Sequence, residues 1–585
     1  MNMRRLINFL NKNYILVIIV LFAAGLRFVK IAQIPPSLNW DEVSHGYNAY
    51  SILKSGRDEW DKSFPIIFKA YGDYKLPVYI YITVISEFLF GLNAFAVRLP
   101  SVLAGIGTVI FTYLFVKELF VYRGNTLTNT QNDAERVALL SSLLAVVEPW
   151  SLFLSRGAFE ANIALFFIVA GVYFFFRSFR SSNFLLLTSF LFGLSVWTYN
   201  SARIFVPLLI VTLVLLFKKE LLGVFKENRQ LTSYILLLTS LFFLTMFYQL
   251  LNPIGQARYG RVAIIDDGAI AQIIEARQNS SFGPLLTRLI YNRPTYFTQR
   301  FIENWGSHFT CSFLFFRGGS HYQFSVPGHG LLYLVNLPFF FSGLLILLKR
   351  VLKRDKASFF LLSWLILAPV PSSLTREAPH VLRSIVMLPI PMVLSAVGLV
   401  AVVNWLNKIR IFKNKYKILY LIYFVFLAGF VENYLNIYFN DYKRIFSWSW
   451  QYGYRQVVDY IKLDYDKYDK IIVTKKYGEP HEFFLFFWPW DPGKYRNDPN
   501  LIRFNQSNWF WVDRFDKFYF VNDWNVPSQE WESFKLESGE SVQCTVGSER
   551  CLLITSPGKV PKGWSKLETI NFLAGDAAFE IYENK

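Results

Sequence analysis

Charge is scarce in this chain of 585 residues. Asp, Glu, Lys and Arg make up only 17% of it, against about 25% in a soluble globular protein. Cysteine is scarcer still, with three, and there are six histidines. Three cysteines exclude a disulfide-framed scaffold. Repeats at solenoid periods and low-complexity tracts are also missing. What is abundant is apolar: 53% of residues are hydrophobic, 18% are aromatic, and mean hydropathy is +0.29. That content excludes intrinsic disorder, and the length exceeds what one compact core accommodates. The net charge of +18 and the pI near 9.5 invite a nucleic-acid reading. Where the charge sits decides the matter.

From Asn436 onward there are 19 basic and 21 acidic side chains, whereas the first 435 residues hold 41 and 21. The basic excess lies between long apolar runs, and a bilayer core needs about 20 apolar residues per helix. Candidate spans are 14–31, 99–120, 137–154, 160–176, 184–199, 204–217, 231–250, 330–348, 358–374, 380–403 and 418–434, about eleven in all. Alternate connections carry the positive charge: Arg4, Arg5 and Lys12; Arg177 and Arg180; Lys218, Lys219, Lys226 and Arg229; Lys349 to Lys356; Lys408 to Lys417. The positive-inside rule then puts these connections and the N-terminus in the cytoplasm. The first run has no small-residue cleavage site after it and is closed by Arg27 and Lys30, so it reads as a span, not a signal peptide. The outer side receives loops at 32–98 and 251–329 and the C-terminal segment. The expected domains are therefore a transmembrane domain, 1–435, and an extracytoplasmic soluble domain, 436–585. The fold class expected is mainly α and polytopic, with interfacial helices in the first outer loop and a C-terminal α/β domain. That domain reads as short strands and amphipathic pieces, such as Lys470–Thr474. Its apolar run Phe483–Trp490 is too short to cross a membrane. Cys544 and Cys551 form either a disulfide-closed hairpin or two unpaired thiols.

The first outer loop carries the most informative residues. Asn39-Trp40-Asp41-Glu42 follows Pro35-Pro36, which stop the first helix. The pattern from Asp41 to Lys54 suits a helix at the membrane interface. An isolated Asp before a helix is ordinarily its N-cap; the neighbouring Glu42 and Trp40 raise the alternative of a carboxylate facing a reaction cleft. Lys75, in Lys75-Leu76-Pro77, can hold a phosphate as a point charge or simply snorkel. Arg98 opens the second span on the outer side, against the charge bias, so a partner or a function is expected of it. Arg156 and Glu160, Arg203, and the cluster Arg376, His380 and Arg383 also fall at outer connections. Each could be a local ion pair, but their recurrence suggests a bound anionic group. The remaining histidines, His45, His308, His321, His329 and His481, are scattered, and their spacing matches no zinc motif.

This ordered set resembles the membrane glycosyltransferases of GT-C architecture. It is most similar to the dolichyl-phosphate-mannose protein mannosyltransferases and the lipid A aminoarabinose transferases (glycosyltransferase family 39-like). The matching pattern is Asp41-Glu42 after the first span, Lys75-x-Pro77 with aromatics, Arg98-Leu-Pro-Ser101, and Ser155-Arg156 followed by Glu160. It covers residues 10 to 220 most closely and continues in layout to about 434. Two departures stand out: the 251–329 loop is too short for an inserted β-trefoil, and Lys-Leu-Pro replaces Lys-Pro-Pro. The resemblance implies inverting transfer of a sugar from a polyprenyl-phosphate donor to an acceptor glycan, lipid or protein at the outer face. Asp41, Glu42 and Glu160 would be the catalytic carboxylates. Lys75, Arg98, Arg156, Arg203, Arg376, His380 and Arg383 would bind the donor phosphate. No cofactor is expected; a divalent ion held by Asp41, Glu42 and Glu160, as in other GT-C branches, is not favoured, and no nucleic acid is expected. The competing class is a multi-span transporter or flippase for an anionic lipid-linked substrate. Its signature of charged span interiors and paired repeats is not in the sequence.

Overall fold

Long runs of Leu, Ile, Val and Phe propagate as helices, which continue even through Pro100 and Pro207. The computed structural model describes residues 13–121, 130–409, 415–506, 509–544 and 547–584. Arg4, Arg5, Lys12, Arg410 and Lys413, which entered the orientation argument, lie outside the described residues. Among the described residues eight helices are long and apolar enough to cross a bilayer: Ala94–Phe120, Glu160–Ser178, Asn200–Lys226, Arg229–Leu251, Leu334–Leu352, Lys356–Ser373, Ile385–Leu406 and Tyr416–Ile445. Shorter apolar helices cover Tyr14–Phe28, Pro77–Phe90 and Phe184–Val196. The expected run 137–154 is broken in two. Helix Gln131–Val147 stops at Glu148, whose ψ of 136° is extended, and Pro149 starts a new short helix, Pro149–Leu154. Proline suits that first position because it has no N–H to leave unpaired. The chain is thus a mainly helical, multi-pass membrane protein.

Contacts divide it into two compact units. The first comprises Met1–Val29, Ser101–Ser155 and Phe159–Leu435 and holds most of the long helices. Its tightest crossing pairs Leu337–Leu352 with Ile390–Leu406. A β-carbon at Gly343 or Gly398 would fall about 2 Å from a facing carbonyl oxygen, of Leu394 and Phe339 respectively. Only glycine permits this approach, the usual device where lipid supplies no hydrophobic drive between helices. Arg27 is buried in this unit and donates to the carbonyls of Ala145 (3.0 Å) and Val146 (3.3 Å) and to Ser151 Oγ (3.2 Å). It therefore pins the first helix instead of marking a membrane edge.

The second unit comprises Lys30–Pro100, Arg156–Ala158 and Asn436–Lys585. One of its junctions falls between Leu435 and Asn436, and the segment after the first helix clusters with the C-terminal segment. Its elements are helices α1 (Trp40–Ser55), α2 (Pro77–Phe90), α3 (Tyr454–Asp464) and α4 (Pro480–Phe487). Its strands are β1 (Phe68–Ala70), β2 (Asp73–Lys75), β3 (Lys470–Thr474), β4 (Ile502–Gln506), β5 (Trp509–Phe515), β6 (Phe518–Val521), β7 (Phe534–Lys535), β8 (Ser541–Val542), β9 (Cys551–Thr555), β10 (Ser565–Asn571) and β11 (Ala577–Glu583). Seven strands form one sheet in the order β10-β11-β9-β3-β6-β5-β4. The central β3 runs parallel to both neighbours and the outer pairs are antiparallel. Ile471 to Thr474 are all buried, as a central parallel strand covered on both faces requires.

The apolar run at 483 forms α4, whose Phe484 packs edge-on against Phe518 of β6 with centroids 4.9 Å apart. Helix α1 lies against α4 at Gly46, where any β-carbon would meet the Phe486 ring. On its other side Ala49 and Ile52 pack with Phe68 and Ile80. Cys544 and Cys551 are joined in a disulfide, and both sulfur-bearing residues are buried beside Ile472, Val521 and Leu553.

Candidate active site

The residues singled out in the first loop converge at the start of α1. Asn39 caps this helix: its Oδ1 accepts from the Glu42 N–H at 2.9 Å, and Glu42 Oε2 accepts from the Asn39 N–H at 3.1 Å. This is a reciprocal capping box. Asp41 is therefore not the cap; it is the second residue of the helix. The signal was present as Asn-x-x-Glu over 39 to 42. With capping discharged by its neighbours, the Asp41 carboxylate is free to pair with Lys75, Oδ1 to Nζ at 2.5 Å. The Asp41 side chain is 42% exposed and that of Lys75 only 8%.

Lys75 is held by local structure. It ends the β1–β2 hairpin opposite Phe68, and Pro77 at the first position of α2 fixes the backbone just after it. Tyr71, in the turn of that hairpin, donates its hydroxyl to the Trp40 carbonyl. Burial and the nearby carboxylates of Glu482 and Asp41 push its phenol well above the usual range, so it stays a donor. Tyr71 also stacks on Trp509, and Trp40 lies within 6.4 Å of both rings. An aromatic wall thus borders the Asp41–Lys75 pair. No motif around Trp509 announces this.

Glu42 and Arg98 form a second, fully buried pair. Arg98 Nε and Nη2 donate to the two Glu42 oxygens at 2.9 Å each. Nη1 donates to the carbonyls of Ile31 (2.9 Å) and Pro35 (3.0 Å), and Nη2 also to that of Ser37 (2.5 Å). All five guanidinium protons are thereby committed. Glu42 Oε1 additionally accepts from the Ala158 N–H at 2.8 Å. The geometry gives both residues an anchoring job, in place of the catalytic and phosphate contacts expected from the sequence. Arg156 is likewise buried. It donates to the Ile34 carbonyl at 3.1 Å and lies over the rings of Tyr438 and Phe439.

The other expected site residues belong to the first unit. Glu160 opens the helix Glu160–Ser178. Arg203 is buried and donates to the Val196 carbonyl (3.0 Å) and to Gln249. Arg383 pairs with Glu377 at 2.9 Å and donates to Thr375 Oγ1. Arg376 pairs with Asp266. His380 packs on Phe324, and its Nδ1 accepts from the Arg383 N–H at 3.2 Å. Arg203 and Arg383 line one cavity of about 130 Å³ with Tyr199, Asn200 and Tyr259. Arg376 is not among its lining residues.

The capping box supplies the first quantitative test. Asn39→Ala removes one acceptor at the start of a buried helix and is expected to cost about 1 kcal/mol. It is read as a lowered melting temperature of the detergent-purified protein, while Asn39→Asp keeps the cap and melts near the parent.

Long apolar helices together with a C-terminal α/β segment give this chain a GT-C fold. The chain shares this fold with the ArnT structures from Cupriavidus metallidurans. The structure bound to undecaprenyl phosphate superposes with a TM-score of 0.51 at 12% identity over 98% of each chain, and the apo structure does so over 97% of each. An archaeal oligosaccharyltransferase, AglB from Archaeoglobus fulgidus, in complex with an inhibitory peptide and a dolichol-phosphate, gives a TM-score of 0.48 at 13% identity. The match covers 82% of this chain and 64% of that one. No family model matches the chain, and no curated protein matches it by sequence.

Proposed function

We propose that this protein is a membrane glycosyltransferase. It moves a sugar from a polyprenyl-phosphate donor to an acceptor hydroxyl at the outer face, with inversion at the anomeric carbon. The observation that carries the reading is the Asp41–Lys75 pair: a half-exposed carboxylate set against a nearly buried ammonium. The ArnT-like fold supports it, since one of those structures binds a polyprenyl phosphate.

The chemistry follows from the two side chains. The donor phosphate is already a good leaving group, so its departure needs charge stabilisation more than protonation. Lys75 exchanges Asp41 for the phosphate, which releases the carboxylate. Asp41 then takes the proton of the acceptor hydroxyl as its oxygen bonds to the anomeric carbon. The bond from that carbon to the phosphate oxygen breaks, and its electron pair leaves with the phosphate held by Lys75. Glu42 and Arg98 act behind this pair by positioning the helix start. Within the first unit, Arg203 and Arg383 share a cavity suited to an anionic group. No step calls for a metal or cofactor. The C-terminal segment is assigned to the outer side and the N-terminus to the cytoplasm. The basic connections and the Cys544–Cys551 disulfide, suited to an oxidising compartment, support that sidedness.

The test is incubation of the purified protein with radiolabelled polyprenyl-phosphate sugars and a membrane extract. Label moving from donor into acceptor is expected. Label that changes membrane leaflet while staying on its lipid would establish a flippase instead. In the same assay Lys75→Ala is expected to raise the donor KM at least several-fold; an unchanged donor KM would remove its phosphate role.

A further inference from the structure

Beneath the start of α1, the second unit contains a group of ionisable side chains that the proposed reaction does not use. Glu59, Glu479, His481 and Glu482 are each at most 4% exposed. Glu59 follows α1 in the chain; His481 and Glu482 lie in the first turn of α4, more than four hundred residues later. One donor atom each from Glu59, His481 and Glu482 lies within 4.8 Å of the others. His481 Nε2 is 3.9 Å from Glu482 Oε1, and its Nδ1 is 3.5 Å from Glu479 Oε2. His481 Nδ1, Glu479 Oε2 and Glu482 Oε2 have no hydrogen-bond partner, although all three are inaccessible to water. Buried polar atoms are rarely left so, and three in one place need a common cause.

Charge points the same way. Glu59 and Glu482 face one neighbouring guanidinium, that of Arg503, which donates to the Glu59 carbonyl at 2.7 Å and lies over the Trp60 ring, while Glu479 faces Lys475. The nearby Lys475 is already matched by Asp513. If ionised, the cluster lacks two positive charges, the charge of one divalent ion. Two carboxylates and an imidazole are a donor set for zinc or a similar divalent transition metal. Donors around such an ion, at about 2.0–2.2 Å from it, lie about 3–4 Å apart, so closing on it asks for movements of about an ångström. Glu479 beside Nδ1 supplies the carboxylate that usually orients a metal-bound histidine. Its other oxygen is fixed by Trp509 Nε1.

We propose that Glu59, His481 and Glu482 bind a divalent transition-metal ion, with Glu479 orienting His481, and that this ion ties the segment after α1 to α4. The ion is structural, because the site is closed to water and offers no path for a substrate. It stiffens the platform on which α1 rests without entering the transfer reaction.

The test uses untagged full-length protein purified in detergent without chelator. Elemental analysis is expected to find about one transition-metal ion per chain, and the melting temperature should fall with EDTA and recover with ZnCl₂ or MnCl₂. His481→Gln and Glu482→Gln should carry no metal and should melt alike with and without EDTA. Should either fail to fold, Glu479→Gln provides the second reading: it keeps the ligands and should bind the ion about 10–100-fold more weakly. Metal-free parent protein whose melting ignores both EDTA and the added salts would overturn the proposal and leave a cluster of protonated acids. Metal retained undiminished in all three variants would overturn it equally.

Discussion

Asp41→Asn should produce a protein that inserts and melts like its parent but loses about 10²–10⁴-fold in kcat, the range a positioned general base contributes. The separation of stability from activity is the informative part, and it rests on three observations. The capping role belongs to Asn39 and Glu42, so no helix-start hydrogen bond is lost. The Asp41 side chain is 42% exposed, and an Asn Oδ1 in its place still accepts from the nearly buried Lys75 ammonium, so Lys75 keeps a hydrogen-bond partner. Asn has the same shape, so the aromatic wall of Trp40, Tyr71 and Trp509 keeps its packing. What disappears is the ability to accept a proton. The measurement is initial rate of label transfer at saturating donor, alongside a melting curve. Turnover within a few-fold of the parent would sink the mechanism proposed for this carboxylate.

Arg98→Ala should behave in the opposite way. Its guanidinium has five committed protons and no exposure, and Glu42 would be left buried with an uncompensated charge. Breaking such a pair typically costs about 3–5 kcal/mol, a large part of the stability of an ordinary domain. Little folded protein should be recovered, and what is recovered should melt well below the parent. Arg98→Lys should rescue only partly, because an ammonium has three protons and no planar fork to grip both Glu42 oxygens. Were Arg98 instead a donor contact, its loss would raise the donor KM and leave the melting curve in place. Expression level, melting temperature and donor KM together separate the two outcomes.

These contrasting expectations show which part of the site could be read from residue order. Asp41, Glu42, Lys75 and Arg98 stand out in the chain because acids and bases are rare near apolar runs. All four fall within the one loop at 32–98. Their roles could not be read in this way. Glu42 and Asp41 are adjacent and chemically alike, yet one is sealed under Arg98 and Ala158 while the other faces outward. Helical rotation of about 100° per residue points neighbours in different directions, and only the packed surroundings determine which direction is occupied. The capping box was legible but competed with a more conspicuous reading of Asp41. Trp509, His481 and Glu482 were not legible as neighbours of the first loop, since more than four hundred residues intervene.

Hydropathy and charge spacing, properties of consecutive residues, determined that this chain is a multi-span helical protein with an α/β segment after residue 435. They also located the break of composition and the acidic start of α1. Only the tertiary structure decided that residues 30–100 cluster with the C-terminal segment, that Cys544 pairs with Cys551, and that Glu42 and Arg98 anchor one another. The physical reason is the range of the forces. Transfer of an apolar run into lipid is summed along the chain and needs no partner, whereas a buried charge or thiol is defined by what folding brings to it.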